Sequence, residues 1–169
     1  RDNIYMENLN KKQTLGCFFN NLGNVYMNVD EPEMAKRSLE WAVQINPTLA
    51  GARVNLGNVY LEMEMVDKSI RQYKEAIRLN PNEGKSHNNL GNAYLRKGWW
   101  RDAVREYRMA LKLDPNYVEA YQNLGGAYME GQEYPLAIEQ FRTVMAKKGS
   151  NAELYYSMAN AYYAMEQYQ

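Results

Sequence analysis

"NNLGNVY" at 20–26 returns as "VNLGNVY" at 54–60, "NNLGNAY" at 88–94 and "QNLGGAY" at 122–128. Within each copy the Leu and the Tyr stand four apart, on one face of a helix, and the Gly beside the Leu lets a second helix come close. The spacing is strict: Leu22, Leu56, Leu90 and Leu124 are 34 residues apart, in step with Gly23, Gly57, Gly91 and Gly125 and with Tyr26, Tyr60, Tyr94, Tyr128 and Tyr162. Further along each unit come a small residue (Ala35, Ser69, Ala103, Ala137), a bulky one (Leu39, Tyr73, Tyr107, Phe141) and then Ala42, Ala76, Ala110 or Val144. Their intervals of four and three predict the buried stripe of a second helix. Pro47, Pro81 and Pro115 end the first three units, since proline disfavours helix in the residue before it and carries no donor.

The chain's totals exclude several functions. Twenty basic residues balance twenty acidic ones, so no global field draws the chain to nucleic acid or to an anionic membrane. One cysteine, Cys17, excludes an internal disulfide framework and a multi-cysteine zinc site. No apolar run is long enough to span a bilayer. The expected localisation is therefore that of a soluble segment, in the cytoplasm or periplasm, on its own or within a longer membrane-anchored protein; the first residue is Arg1, which leaves room for a leader or anchor upstream.

The 34-residue order of Leu-Gly-Tyr, small-large-Ala and Pro resembles the tetratricopeptide repeats. The resemblance implies an all-α fold, a right-handed α-solenoid of antiparallel helix pairs, with one solenoid domain divided as 16–49, 50–83, 84–117 and 118–151. Residues 152–169 would be the first helix of a partial repeat, and 1–15, with Tyr5 and Leu9 four apart, a degenerate second helix of a preceding one. Repeat four departs from the pattern, with Val144 for the Ala and Gly149 for the proline, so its exit should bend differently.

No catalytic constellation emerges, and no metal or cofactor site is expected. His87 is the sole histidine and falls near the start of a first helix, where packing is the expected role. The glycines sit inside helices and not after strands, so they make no phosphate loop. The function implied is non-catalytic: an adaptor or scaffold that binds a protein or peptide in the concave groove lined by the first helices. Two alternatives remain: an assembly subunit packing by its ends or convex face, with self-association through the ends, and the recognition arm of an enzyme whose catalytic domain lies elsewhere.

Asparagine recurs at two first-helix positions: Asn21, Asn55, Asn89 and Asn123 before the Leu, and Asn24, Asn58, Asn92 and Asn160 three residues on. A carboxamide offers donors and an acceptor that match an extended peptide backbone. The rows are similar to the asparagine ladder in the repeat region of O-linked N-acetylglucosamine transferases, and also to the repeats of bacterial tetratricopeptide scaffolds. The other reading of these asparagines is that they bridge neighbouring helices. Gly126 interrupts the second column, which would leave room for a ligand side chain. Lys85 and Arg96 add positive charge to the groove, and Glu119 and Glu153 negative charge towards its C-terminal end. The terminal-carboxylate clamp of chaperone-binding members is not reproduced, because Asn20 and Asn89 replace its other basic residues. Interface anchors are expected at Trp41 and Trp99, and at Tyr155, Met158 and Tyr162, which share one apolar helix face. Trp100 is expected in the core.

Overall fold

The computed structural model describes residues 2–149 and 151–167, with side chains from residue 7 to 149 and 151 to 166. Among them are nine helices: α1 (Asp2–Asn28), α2 (Pro32–Ile45), α3 (Ala50–Glu62), α4 (Val66–Leu79), α5 (Gly84–Arg96), α6 (Trp100–Leu113), α7 (Val118–Glu130), α8 (Tyr134–Lys148) and α9 (Ala152–Gln167). They fall into two compact units, 1–82 and 83–169. In the first, α1 packs on α2 and α3, α2 on α3, and α3 on α4. In the second, α5 packs on α6, α6 on α7, α7 on α8 and α8 on α9.

Glycine makes each helix pair close. A methyl group on Gly57 would stand 2.5 Å from the Tyr73 ring, and one on Gly91 2.6 Å from that of Tyr107; Gly125 meets Phe141 in the same way, and Gly23 meets Leu39. The large second-helix residue thus lies directly on first-helix backbone. Leu39, Tyr73, Tyr107 and Phe141 are all buried, beside the buried small residues Ala35, Ser69, Ala103 and Ala137.

The turns between paired helices repeat as strictly as the helices. Asp30, Glu64, Gly98 and Gln132 have positive φ, at 59°, 57°, 74° and 61°. The next residue then donates its N–H back to the carbonyl of Tyr26, Tyr60, Tyr94 or Tyr128, at 2.7–3.0 Å, closing the helix end as a Schellman motif does. At the far end, α2, α4 and α6 stop one residue short of the Asn or Asp that precedes each proline. Repeat four does differ: α8 runs on to Lys148 and Gly149 turns the chain at φ 86°, ψ 170°, a region open to glycine alone.

The expectation of a separate helix over 1–15 is corrected. Residues 2–15 continue into α1 without a break, because no glycine or proline interrupts them before Gly16. Every side chain from Glu7 to Leu15 is exposed, so this stretch buries nothing on the repeats; Glu7 and Lys11 pair along it at 2.6 Å. Tyr5 lies outside the residues whose side chains are described.

Candidate protein-interaction face

In the first unit Asn24, Met27, Asn28, Asn55 and Asn58 line one concavity of about 200 Å³. Helical spacing puts Asn24 and Asn28 together on α1, and Asn55 and Asn58 on α3. The packing of α1 against α3 brings the two pairs face to face.

The asparagines do different work. Asn55 Nδ2 donates to Asn20 Oδ1 at 2.9 Å, and Asn123 Nδ2 donates to Asn88 Oδ1 at the same distance, so in each unit the Asn before the Leu ties one first helix to the preceding one. The bridging reading therefore describes Asn55 and Asn123. Asn20 also donates weakly to Asn21, at 3.5 Å. In the second column, Asn58 accepts from the Tyr73 hydroxyl and Asn92 from the Tyr107 hydroxyl, each at 2.7 Å. Each bond orients its carboxamide. Burial pushes the Tyr73 phenol up to about 12 and raises Tyr107 as well, which keeps both hydroxyls protonated donors. In repeat one the position of Tyr73 is taken by Leu39, which has no hydroxyl; Asn24 and Asn28 make no hydrogen bond to the protein among the described residues.

The second unit carries the same positions with different chemistry. Asn92, Arg96, Asn123 and Gly126 stand where Asn24, Asn28, Asn55 and Asn58 stand in the first. Lys85 and Arg96 are exposed and Asn89 is half-buried, and Gln122 donates to Glu153 at 3.3 Å. Asn160 is exposed on α9.

The remaining expected residues lie elsewhere. His87 is buried, with Nδ1 2.7 Å from Glu106 Oε2, which ties α5 to α6. Trp41 is exposed on α2, stacked on Phe19 at 6.4 Å. Trp99 is exposed at the turn before α6, with Lys97 Nζ 4.6 Å from its ring centre, while Trp100 is half-buried against Gly131. Neither Trp41 nor Trp99 lines the asparagine concavity. On α9, Leu154 and Ala161 form the buried face, Tyr155 and Tyr162 are exposed, and Met158 is half-buried at the edge between them. The shared exposed face expected there thus holds for the two tyrosines only. Asn88, Asn28 and Met27 escaped the sequence reading, and Asn20 entered it only as a replacement in the clamp pattern. The "NN" doublets at 20–21 and 88–89 were the available signal, since the first Asn of each accepts from the Asn that precedes the Leu of the next first helix in its unit.

The chain matches the TPR repeat family at residues 66–98 and the Tetratricopeptide repeat family at 18–49 and 88–153. It belongs to the tetratricopeptide repeat family, and its fold class is the all-α solenoid of antiparallel helix pairs. No curated protein matches it in sequence. Among solved structures it is similar to the MamA protein, at 20% identity and TM-score 0.82, over 90% of this chain and 83% of that one. It is also similar to YrrB, described as a TPR protein with an unusual peptide-binding site, at 24% identity and TM-score 0.74, over 88% and 76%. A third is the first TPR of Spaghetti (RPAP3), bound to the HSP90 peptide SRMEEVD, at 22% identity and TM-score 0.67, over 69% and 93%. The chain is a protein-interaction module, as repeats of this family typically are. No helix among the described residues is long and apolar enough to cross a membrane.

Proposed function

We propose that this module holds an extended protein segment against the first-helix face of its repeats, by hydrogen bonds from carboxamides to the segment's backbone. The observation that carries the reading is the concavity lined by Asn24, Asn28, Asn55 and Asn58, in which Asn24 and Asn28 keep complete sets of donors and acceptors for a ligand. A peptide backbone offers the complementary C=O and N–H groups. The likeness to YrrB and to the peptide-bound RPAP3 repeat supports a peptide-sized ligand. The clamp pattern is missing, so an internal segment fits better than a free C-terminus. Selection of random linear peptides on the immobilised chain tests this. Selected peptides should lose about 1–3 kcal/mol of affinity with the Asn24→Ala, Asn28→Ala double variant. Equal affinity for that variant would sink the reading.

A second role, as an assembly subunit, draws on the tyrosines of α9, where Tyr155, Tyr156, Tyr162 and Tyr163 are all exposed. Clustered aromatics of this kind mark interfaces. Sedimentation over a concentration series should show association that Tyr162→Glu weakens; a monomer throughout would remove this role.

A further inference from the structure

We propose that two copies of this chain pair through α1, parallel and in register, along a seam that the repeats leave uncovered. The surface is separate from the asparagine face and from the α9 tyrosines. Its basis is a second period in the sequence. Asn8, Lys11, Leu15, Phe18, Leu22 and Val25 follow one another at steps of three and four, the rhythm that keeps one stripe of a helix turned towards a partner helix. The helix that carries it has 27 residues, against 13 in each of α3, α5 and α7. Its extra turns lengthen the stripe and bury nothing on the repeats.

The stripe is open where its counterparts are closed. Phe18 and Val25 hold the positions of Ala52 and Val59 in α3, Ala120 and Ala127 in α7, and Leu154 and Ala161 in α9, all at most 3% exposed because preceding helices of their unit pack there. Leu15, Phe18 and Val25 are 46%, 57% and 55% exposed. Glu7, Asn10, Lys11, Thr14, Leu15 and Phe18 line a concavity of about 590 Å³ along the same side of α1. Other faces of α1 are taken, by α2 at Gly16 and Gly23 and by α3 at Asn20, so the stripe has room for one further helix.

Charge and register name that helix. Asn8 sits at a core position of the seam, where a lone asparagine fixes two parallel strands in register, each carboxamide bonding the other. In that arrangement Glu7 of one copy meets Lys12 of the other, and Lys12 meets Glu7, because flanking positions five residues apart face each other across a parallel pair. An antiparallel pair offers neither match. Lys11 enters the seam already neutralised, its Nζ 2.6 Å from Glu7 Oε1, so no bare charge is covered.

Sedimentation of the full chain over a concentration series tests the pairing. The expected result is a reversible monomer–dimer equilibrium whose Kd rises about tenfold or more with Leu15→Glu and with Phe18→Glu, each of which puts an unpaired charge in the seam. Tyr162→Glu should leave that Kd unchanged. Both seam residues are exposed, and circular dichroism checks that each variant keeps its helices. Register is read by oxidation in a Cys17→Ala background: Asn8→Cys should give a covalent dimer, and Gln13→Cys, on the far side of α1, should not. A chain that stays monomeric at every concentration would overturn the proposal. So would a dimer indifferent to both seam variants, a dimer lost in Tyr162→Glu alone, or one that Gln13→Cys cross-links and Asn8→Cys does not.

Discussion

Asn123 and Asn24 are similar letters in similar contexts with opposite expected consequences. Truncating Asn123 to Ala strips the donor from Asn88, which is wholly buried and whose own Nδ2 has no partner among the described residues. The expected loss is about 1–3 kcal/mol of unfolding free energy in urea titration, against under about 0.5 kcal/mol for Asn24→Ala. Tyr73 supplies a pH test. Its phenol is raised from 10.0 to about 12 by burial, so the folded state favours the neutral form. That stabilisation is complete below pH 10 and is lost as pH rises from 10 to 12. Thermal melts followed by circular dichroism should therefore show a fall over that range that is shallower in Tyr73→Phe. Asparagine periodicity was legible in the letters. Which asparagine bonds to which partner was not, because for Asn55 and Asn123 it depends on the Asn one repeat earlier in the same unit, and for Asn58 and Asn92 on the Tyr of the paired helix.

At the scale of elements, the helix pairs could be read almost entirely from the Leu-Gly-Tyr and small-large-Ala spacings, because each letter maps to one contact. The turns could not. Of the four left-handed residues, Glu64 and Gln132 are of types that no turn rule marks, Asp30 is only weakly suggested, and Gly98 alone announces its conformation. Nothing lies within 4 Å of a Cβ built on Gly98, so Gly98→Ala carries only the conformational penalty, about 1 kcal/mol. Gln132→Gly should gain about 0.5–1 kcal/mol net of the glycine's greater unfolded-state freedom. Urea midpoints moving in opposite directions would check both. The exit of repeat four was flagged by Gly149, and its φ of 86° shows why proline is absent there.

Across the whole molecule, a uniform 34-residue period conceals the division at 82/83, since nothing in the repeated letters changes there. Gly91→Leu forces a side chain into the Tyr107 ring, an overpacking penalty of about 1–3 kcal/mol or more. Hydrogen exchange should show protection lost across α5 and α6 while α3 and α4 keep theirs; uniform loss would mean that the chain unfolds as one cooperative body. The solvated half of α1 obeys a different law. Between Glu7 and Leu15 no side chain is buried and the Glu7–Lys11 pair is solvent-exposed, so the helix there is propagated from the packed turn at Gly16 and not held by buried contacts. Such a segment melts like a zipper. Its amide protection should decline residue by residue from Leu15 towards Glu7, and Thr14→Gly should lower the whole gradient without moving the midpoint of the repeats.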